Sequence, residues 1–174
     1  MKHLVLVGLP GSGKTTVGRA AAEQAQLPFL DFDEEIERRT GLSPAEFFRL
    51  RGEAAFRDEE LVLTRELVAR HTIVVSPGGG WITQEAAREA LRPYATLLYL
   101  KVSPRTAARR LGQSVSLRPL LAAGDPIEAL ERLLAVRGAI YESADRMIDT
   151  EVIDFEQLTE RVAEMARFAR GPGS

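Results

Sequence analysis

The chain has 174 residues, 45% of them hydrophobic and 28% charged, with a net charge of −2. That is enough apolar material for one domain with a sizeable core, and it leaves no basic surplus for a general nucleic-acid binder. There is no cysteine, which excludes disulfides, thiolate metal sites and cysteine nucleophiles, and no run is long enough to cross a bilayer, so a soluble, cytoplasmic protein without nucleic-acid or membrane partners is expected.

The first apolar run, Leu4–Val7, leads straight into Gly8-Leu9-Pro10-Gly11-Ser12-Gly13-Lys14-Thr15 and then into a helical pattern. Strand, glycine-rich loop and helix are the context in which G-x-x-x-x-G-K-[ST] binds a nucleoside triphosphate. Backbone N–H groups and the helix N-terminus converge on the phosphates. Lys14 would reach the β- and γ-phosphates, and the Thr15 hydroxyl would ligate a Mg²⁺ that bridges them. Gly11, Ser12, Gly13, Lys14, Thr15 and Thr16 are the expected contacts of ATP.

Phe29-Leu30 starts a second strand, with Asp31 and Asp33 at its end. If the backbone stays extended, both carboxylates point to one face, one serving the metal and the other an acceptor hydroxyl. Asp33 also precedes Glu34-Glu35-Ile36, where an aspartate would cap a helix; the two roles are compatible. The third run, Ile73–Val75, ends in Ser76-Pro77-Gly78 without the aspartate that many such proteins place there for Mg²⁺. Asp31 is its natural substitute.

Between these strands, residues 33–70 form a long helical insertion in which Arg57, Leu61, Thr64 and Val68 share one face. Glu53 and Glu60 lie within reach of Arg57. A guanidinium on an apolar stripe needs an anion, an internal carboxylate or a route to solvent. After the third strand, Gly78-Gly79-Gly80 carries an entropic cost that makes sense where a substrate approaches the main chain, and Trp81 suits either core or pocket wall. His3 and His71 flank predicted strands and are expected on the surface.

Leu97–Val102 and Met147-Ile148 complete the apolar runs. Arg109 and Arg110 are placed to stack on adenine, and the stretch 112–125 reads as a lid in which Arg118 would close over the γ-phosphate. A second stripe, Leu130, Leu134, Arg137 and Tyr141, again carries one arginine. Two such arginines beside a phosphate site suit a carboxylate-bearing acceptor, because a planar fork binds a carboxylate bidentately. Alternating strands and helices predict an α/β protein, a three-layer P-loop kinase with a mostly parallel sheet and helices on both faces. One domain is expected over residues 1–170, with 171–174 a disordered tail or cloning remnant.

Taken together, residues 8–18, 29–33, 52–60, 78–80, 117–121 and 137–141 resemble the shikimate kinase family over nearly the whole chain. The resemblance implies a five-stranded parallel sheet of the nucleoside-monophosphate-kinase type with a lid, and ATP- and Mg²⁺-dependent phosphorylation of the 3-hydroxyl of shikimate in aromatic amino-acid biosynthesis. It implies that Asp33 holds that hydroxyl, Arg57 and Arg137 the carboxylate, and Gly79 and Gly80 the ring. Asp31 would act on Mg²⁺ directly or through water, Arg118 as lid arginine and Arg110 beside adenine, with residues 149–154 lining the base from the other side. A monomer is expected. A gluconate-type kinase fits the glycine run and the arginine stripe less well, and a non-catalytic sensor would be favoured by loss of Lys14, Asp31 or Asp33, all of which are present.

Overall fold

The computed structural model describes residues 2–112, 121 and 124–171. Most of the expected lid, Arg118 with it, and residues 172–174 of the tail lie outside the described residues. Five short strands form one sheet: β1 (His3–Val7), β2 (Phe29–Asp31), β3 (Val74–Ser76), β4 (Ala95–Lys101) and β5 (Arg146–Asp149), in the order β2-β3-β1-β4-β5. Every pairing is parallel, with Leu4 opposite Val74 and Thr96, and Lys101 opposite Asp149.

Parallel strands require crossovers, and these cover both faces of the sheet. Among the described residues seven α-helices supply the cover: α1 (Lys14–Ala25), α2 (Phe32–Thr40), α3 (Pro44–Leu67), α4 (Glu85–Leu91), α5 (Pro104–Leu111), α6 (Pro126–Glu142) and α7 (Phe155–Arg170). Strand residues alternate between the layers, as a period of two dictates. Val5 and Val7 join Phe32, Phe56, Trp81 and Tyr141 on one face, whereas Leu4 and Leu6 join Val17, Ala21 and Val162 under α1 and α7 on the other. Each such Val or Leu, withdrawn from water, contributes about 1.5–3 kcal/mol.

Helix starts follow local chemistry. Ser43 and Glu46 form a reciprocal capping box ahead of Pro44 in α3, and Asp125 and Asp154 cap α6 and α7. Such caps satisfy amides that have no partner within the helix. Helix α3 is broken at Gly52, where φ is 82° and ψ 168°, so residues 44–51 and 53–67 form two segments.

Two expectations change here. In the second segment of α3 the buried positions are Phe56, Glu60, Leu63, Thr64 and Leu67; Leu61 is half-buried and Val68 is exposed. The inward stripe is therefore rotated from the one predicted, with a glutamate at its centre. His3 is buried rather than on the surface: its side chain hydrogen-bonds through Nε2 to the Leu67 carbonyl at 2.9 Å, tying the start of β1 to the end of α3. His71 is exposed, as expected.

Candidate active site

The carboxyl ends of the parallel strands open into a cleft of about 450 Å³. Its floor is the end of the glycine-rich loop and the start of α1, residues 11–17, and its walls include Asp31 at the end of β2, Asp33 in α2, Pro77 to Gly79 after β3, and Arg110, Thr150 and Phe155. Gly13, with φ of 95°, adopts the left-handed conformation from which α1 begins. A side chain there would be strained. Helix α1 has neither a side-chain cap nor an acid in its first turn, which suits it to the phosphate anion the motif implies. Lys14 Nζ donates to the carbonyls of Gly8 and Leu9 at 3.0 Å each, so the ammonium lies along the loop. Thr16 lines the same floor.

Asp31 is the hinge between the two halves of the cleft. Its Oδ1 accepts from the amides of Asp33 and Glu34 at 3.0 and 3.3 Å, and its Oδ2 accepts from Thr15 Oγ1 at 2.7 Å. The extended backbone thus ends at Asp31, which is the cap of α2, while Asp33 sits in the first helical turn. The cap is on Asp31 instead of Asp33, and the extended pair expected from the sequence is not formed, because the chain turns into α2 between the two aspartates; both still line the cleft. Ser76 Oγ lies 3.4 Å from Thr15 Oγ1, at the end of the strand where an aspartate was missed. Two hydroxyls and a carboxylate form an all-oxygen set that suits a hard cation such as Mg²⁺, which usually keeps waters and takes phosphate oxygens as its other ligands. No cluster of three or more acidic or histidine ligands occurs among the described residues.

The glycine run brings the second group together. None of its three residues has positive φ; what matters is the missing side chain. A Cβ at Gly80 would lie 2.1 Å from Arg57 Nη2, and one at Gly78 would lie 2.5 Å from Glu60 Oε1 and 3.1 Å from Asp33 Oδ1. At Gly79 the Cβ contacts would be ordinary, 3.5 Å to Pro10, and the Gly79 carbonyl accepts from Arg137 Nη1 at 2.9 Å and Tyr141 Oη at 3.1 Å. The glycines therefore admit this protein's own charged side chains, and Arg57, Arg137 and Asp33 converge on three successive residues.

Arg57 is held by Glu53 Oε1 at 2.8 Å and Glu60 Oε2 at 2.6 Å, and lies 5.8 Å from the ring centroids of Phe48 and Phe56. Burial works against its charge, but the two glutamates hold it above its ordinary range. Burial pushes the Glu60 carboxyl up to about 7, overcoming the opposing pull of Arg57, with Asp33 adding to the rise. Arg137, buried on α6, donates to a backbone carbonyl, that of Gly79. Trp81 proves to be core, fully buried, with Nε1 donating to Thr64 Oγ1 at 2.8 Å.

At the far end, Arg110 donates to Thr150 Oγ1 and to the Thr150 carbonyl at 2.8 Å each, so helix α5 and the segment after β5 meet where the base is expected. Gln84 escaped sequence reasoning: its Nε2 donates to Glu60 Oε2 at 2.7 Å. A single amide between a threonine and a helix carries no pattern from which this contact could be read.

A parallel sheet with a phosphate loop at the end of its first strand, and Asp33, Arg57 and Arg137 gathered at the glycine turn after β3, defines a P-loop kinase of the nucleoside-monophosphate-kinase type. Residues 10–167 match the family model described as shikimate kinase, and the chain belongs to the shikimate kinase family. It is an ATP- and Mg²⁺-dependent kinase of shikimate. Among its relatives, shikimate kinase of Pseudomonas syringae pv. syringae is 41% identical over 152 residues, 87% of this chain and 88% of that protein. Shikimate kinase of Pelotomaculum thermopropionicum is 36% identical over 162 residues, 93% and 94% of the two chains. The structure of shikimate kinase from Acinetobacter baumannii in complex with shikimate superimposes with a TM-score of 0.88 at 37% identity, covering 95% of this chain and 92% of that one.

Proposed function

We propose that the γ-phosphate of ATP is transferred in line to the 3-hydroxyl of shikimate in this cleft, with the roles divided as follows. The carrying observation is the convergence of Asp33, Arg57 and Arg137 on Gly78 to Gly80, beside the cleft that Asp33, Gly78 and Gly79 share with the phosphate loop. Arg57 and Arg137 hold the shikimate carboxylate, and Gly79 and Gly80 back the ring. Asp33 orients the 3-hydroxyl and accepts its proton as the bond to phosphorus forms. Lys14 and the amides of Gly11, Ser12 and Gly13 hold the phosphates, with Thr15 and Thr16 at the start of α1. Mg²⁺, held by Thr15 and by Asp31 directly or through water, supplies neutralisation of the charge shared by the β- and γ-phosphates. Arg110 flanks the adenine, and Arg118 serves as the lid arginine within residues 112–125. Positioning and charge neutralisation do most of the work, and no covalent enzyme intermediate is required.

The acceptor insertion is assigned to residues 33–70, within one domain spanning 1–170, and the protein acts as a cytoplasmic monomer. No described helix is long and apolar enough to cross a membrane. The test is ADP release with shikimate, with gluconate and without acceptor, for the wild type and for Asp33→Asn and Arg57→Ala. Shikimate-dependent release should be strong in the wild type and fall at least about a hundredfold in Asp33→Asn, with nucleotide affinity retained. Full shikimate turnover in either variant would overturn the role given to that residue.

A further inference from the structure

Glu60 is more deeply buried than any other described acid, with a side chain fully withdrawn from solvent. Its two oxygens are treated unequally. Oε2 accepts from both Arg57 Nη1 at 2.6 Å and Gln84 Nε2 at 2.7 Å, whereas Oε1 has no hydrogen-bond partner and lies against Gly78. An orphaned, buried carboxylate oxygen is costly, and a proton seated there would remove the charge while both bonds to Oε2 remain. Charge reaches Glu60 from three helices: Arg57 on α3, itself paired with Glu53, Asp33 on α2 and Arg137 on α6. Gln84, before α4, contributes only a neutral donor.

Arg57 already answers two carboxylates with one positive charge. A shikimate carboxylate arriving at the same guanidinium would be the third, in a pocket that also contains Asp33. We propose that Glu60 is a positioning residue for Arg57 that takes up a proton from solvent when shikimate binds, so that the guanidinium gives up one internal anion in exchange for the substrate. The proton returns to solvent when the acceptor site empties. The neutral point of Glu60 lies where such an exchange operates near physiological pH, and this inference rests on Arg57 as the carboxylate ligand.

Calorimetry of shikimate binding without nucleotide, in buffers of different ionisation enthalpy, reads the proton count directly. Between about pH 6.5 and 8.5 neither the shikimate carboxyl nor the arginines titrate, and His3 lies at the opposite, amino end of β1. Wild-type protein should take up on the order of half a proton per shikimate bound near pH 7.5, and the dissociation constant should rise with pH by up to about tenfold for each unit by which binding raises the Glu60 pKa. Glu60→Gln should show no linked proton and a flat pH profile. Gln84→Met, which removes a donor that favours the ionised form, should move the wild-type midpoint to higher pH. Absence of buffer dependence in the wild type, or uptake that persists in Glu60→Gln, overturns the proposal; should Glu60→Gln not fold, the wild-type buffer series and Gln84→Met decide it. Arg57→Ala separates the two readings. Unchanged shikimate affinity in that variant overturns the carboxylate assignment, whereas weakened affinity with no proton uptake in the wild type overturns only the role of Glu60.

Discussion

A methyl group at position 80 would stand 2.1 Å from Arg57 Nη2, while one at position 79 would meet nothing closer than Pro10 at 3.5 Å. Gly80→Ala must therefore displace the guanidinium, and its KM for shikimate should rise at least about tenfold, as expected for loss of a charge-assisted contact, with the KM for ATP little altered. Gly79→Ala should change both by less. Steady-state kinetics with each substrate varied in turn checks the contrast. Three consecutive glycines marked this place in the sequence, but as an opening for substrate. That the first and third make room for Glu60 and Arg57 depends on α3 packing against the turn, and no local pattern records that approach.

Helix α3 and the Gly78–Thr83 turn are joined through Thr64, whose Oγ1 donates to the Glu60 carbonyl at 2.7 Å and accepts from Trp81 Nε1 at 2.8 Å. Thr64→Val keeps the shape but leaves a fully buried indole N–H unpaired, which costs about 1–3 kcal/mol. Denaturant unfolding should show that loss with an unchanged m-value. The same helix shows where hydropathy misleads. Its inward face contains Glu60, and a pattern search that seeks apolar residues rotates past it to Leu61 and Val68. Glu53 and Glu60 as partners of Arg57 were legible, because helical spacing of three and four residues fixes them. On α6 the predicted stripe was in phase: Leu130, Arg137 and Tyr141 are buried, and Leu134 is half-buried against the same core. The five apolar runs likewise located all five strands to within one or two residues, whereas the turn of the chain into α2 directly after Asp31 was hidden, since either aspartate could cap the helix.

For the molecule as a whole, ligand and pH should each shift stability. Mg²⁺-ATP at a hundred times its dissociation constant adds about 2.7 kcal/mol to the native state, which corresponds to a rise in Tm of roughly 5–10 °C for a chain of this size. Lys14→Ala should lose most of that rise in a thermal-shift measurement. His3 sets the acid side. Burial lowers its pKa below the ordinary 6.5, with Arg70 adding to the fall and the bond to the Leu67 carbonyl opposing it. The unfolded chain then binds the proton more readily, so the contribution of neutral His3 is complete above pH 6.5 and declines as pH falls through that value toward the folded pKa. Glu60, raised to about 7, acts in the opposite sense over the same range, so the His3 contribution is read as a difference: as pH falls below 6.5, Tm of the wild type should decline relative to that of His3→Phe. This histidine looked peripheral in the sequence because the carbonyl that receives it comes from Leu67, 64 residues away.

The divided bonding of Asp31, one oxygen on the α2 amides and the other on Thr15, has an evolutionary consequence. Asparagine at this position satisfies the helix but surrenders the negative charge; glutamate keeps the charge but its longer side chain no longer reaches the first-turn amides. Each one-step replacement meets one selective demand and fails the other. With Mg²⁺ held as proposed, a descendant sequence that gave up this aspartate would need a second carboxylate nearby. Ser76, whose hydroxyl lies 3.4 Å from Thr15 Oγ1, occupies the place from which that relief would come.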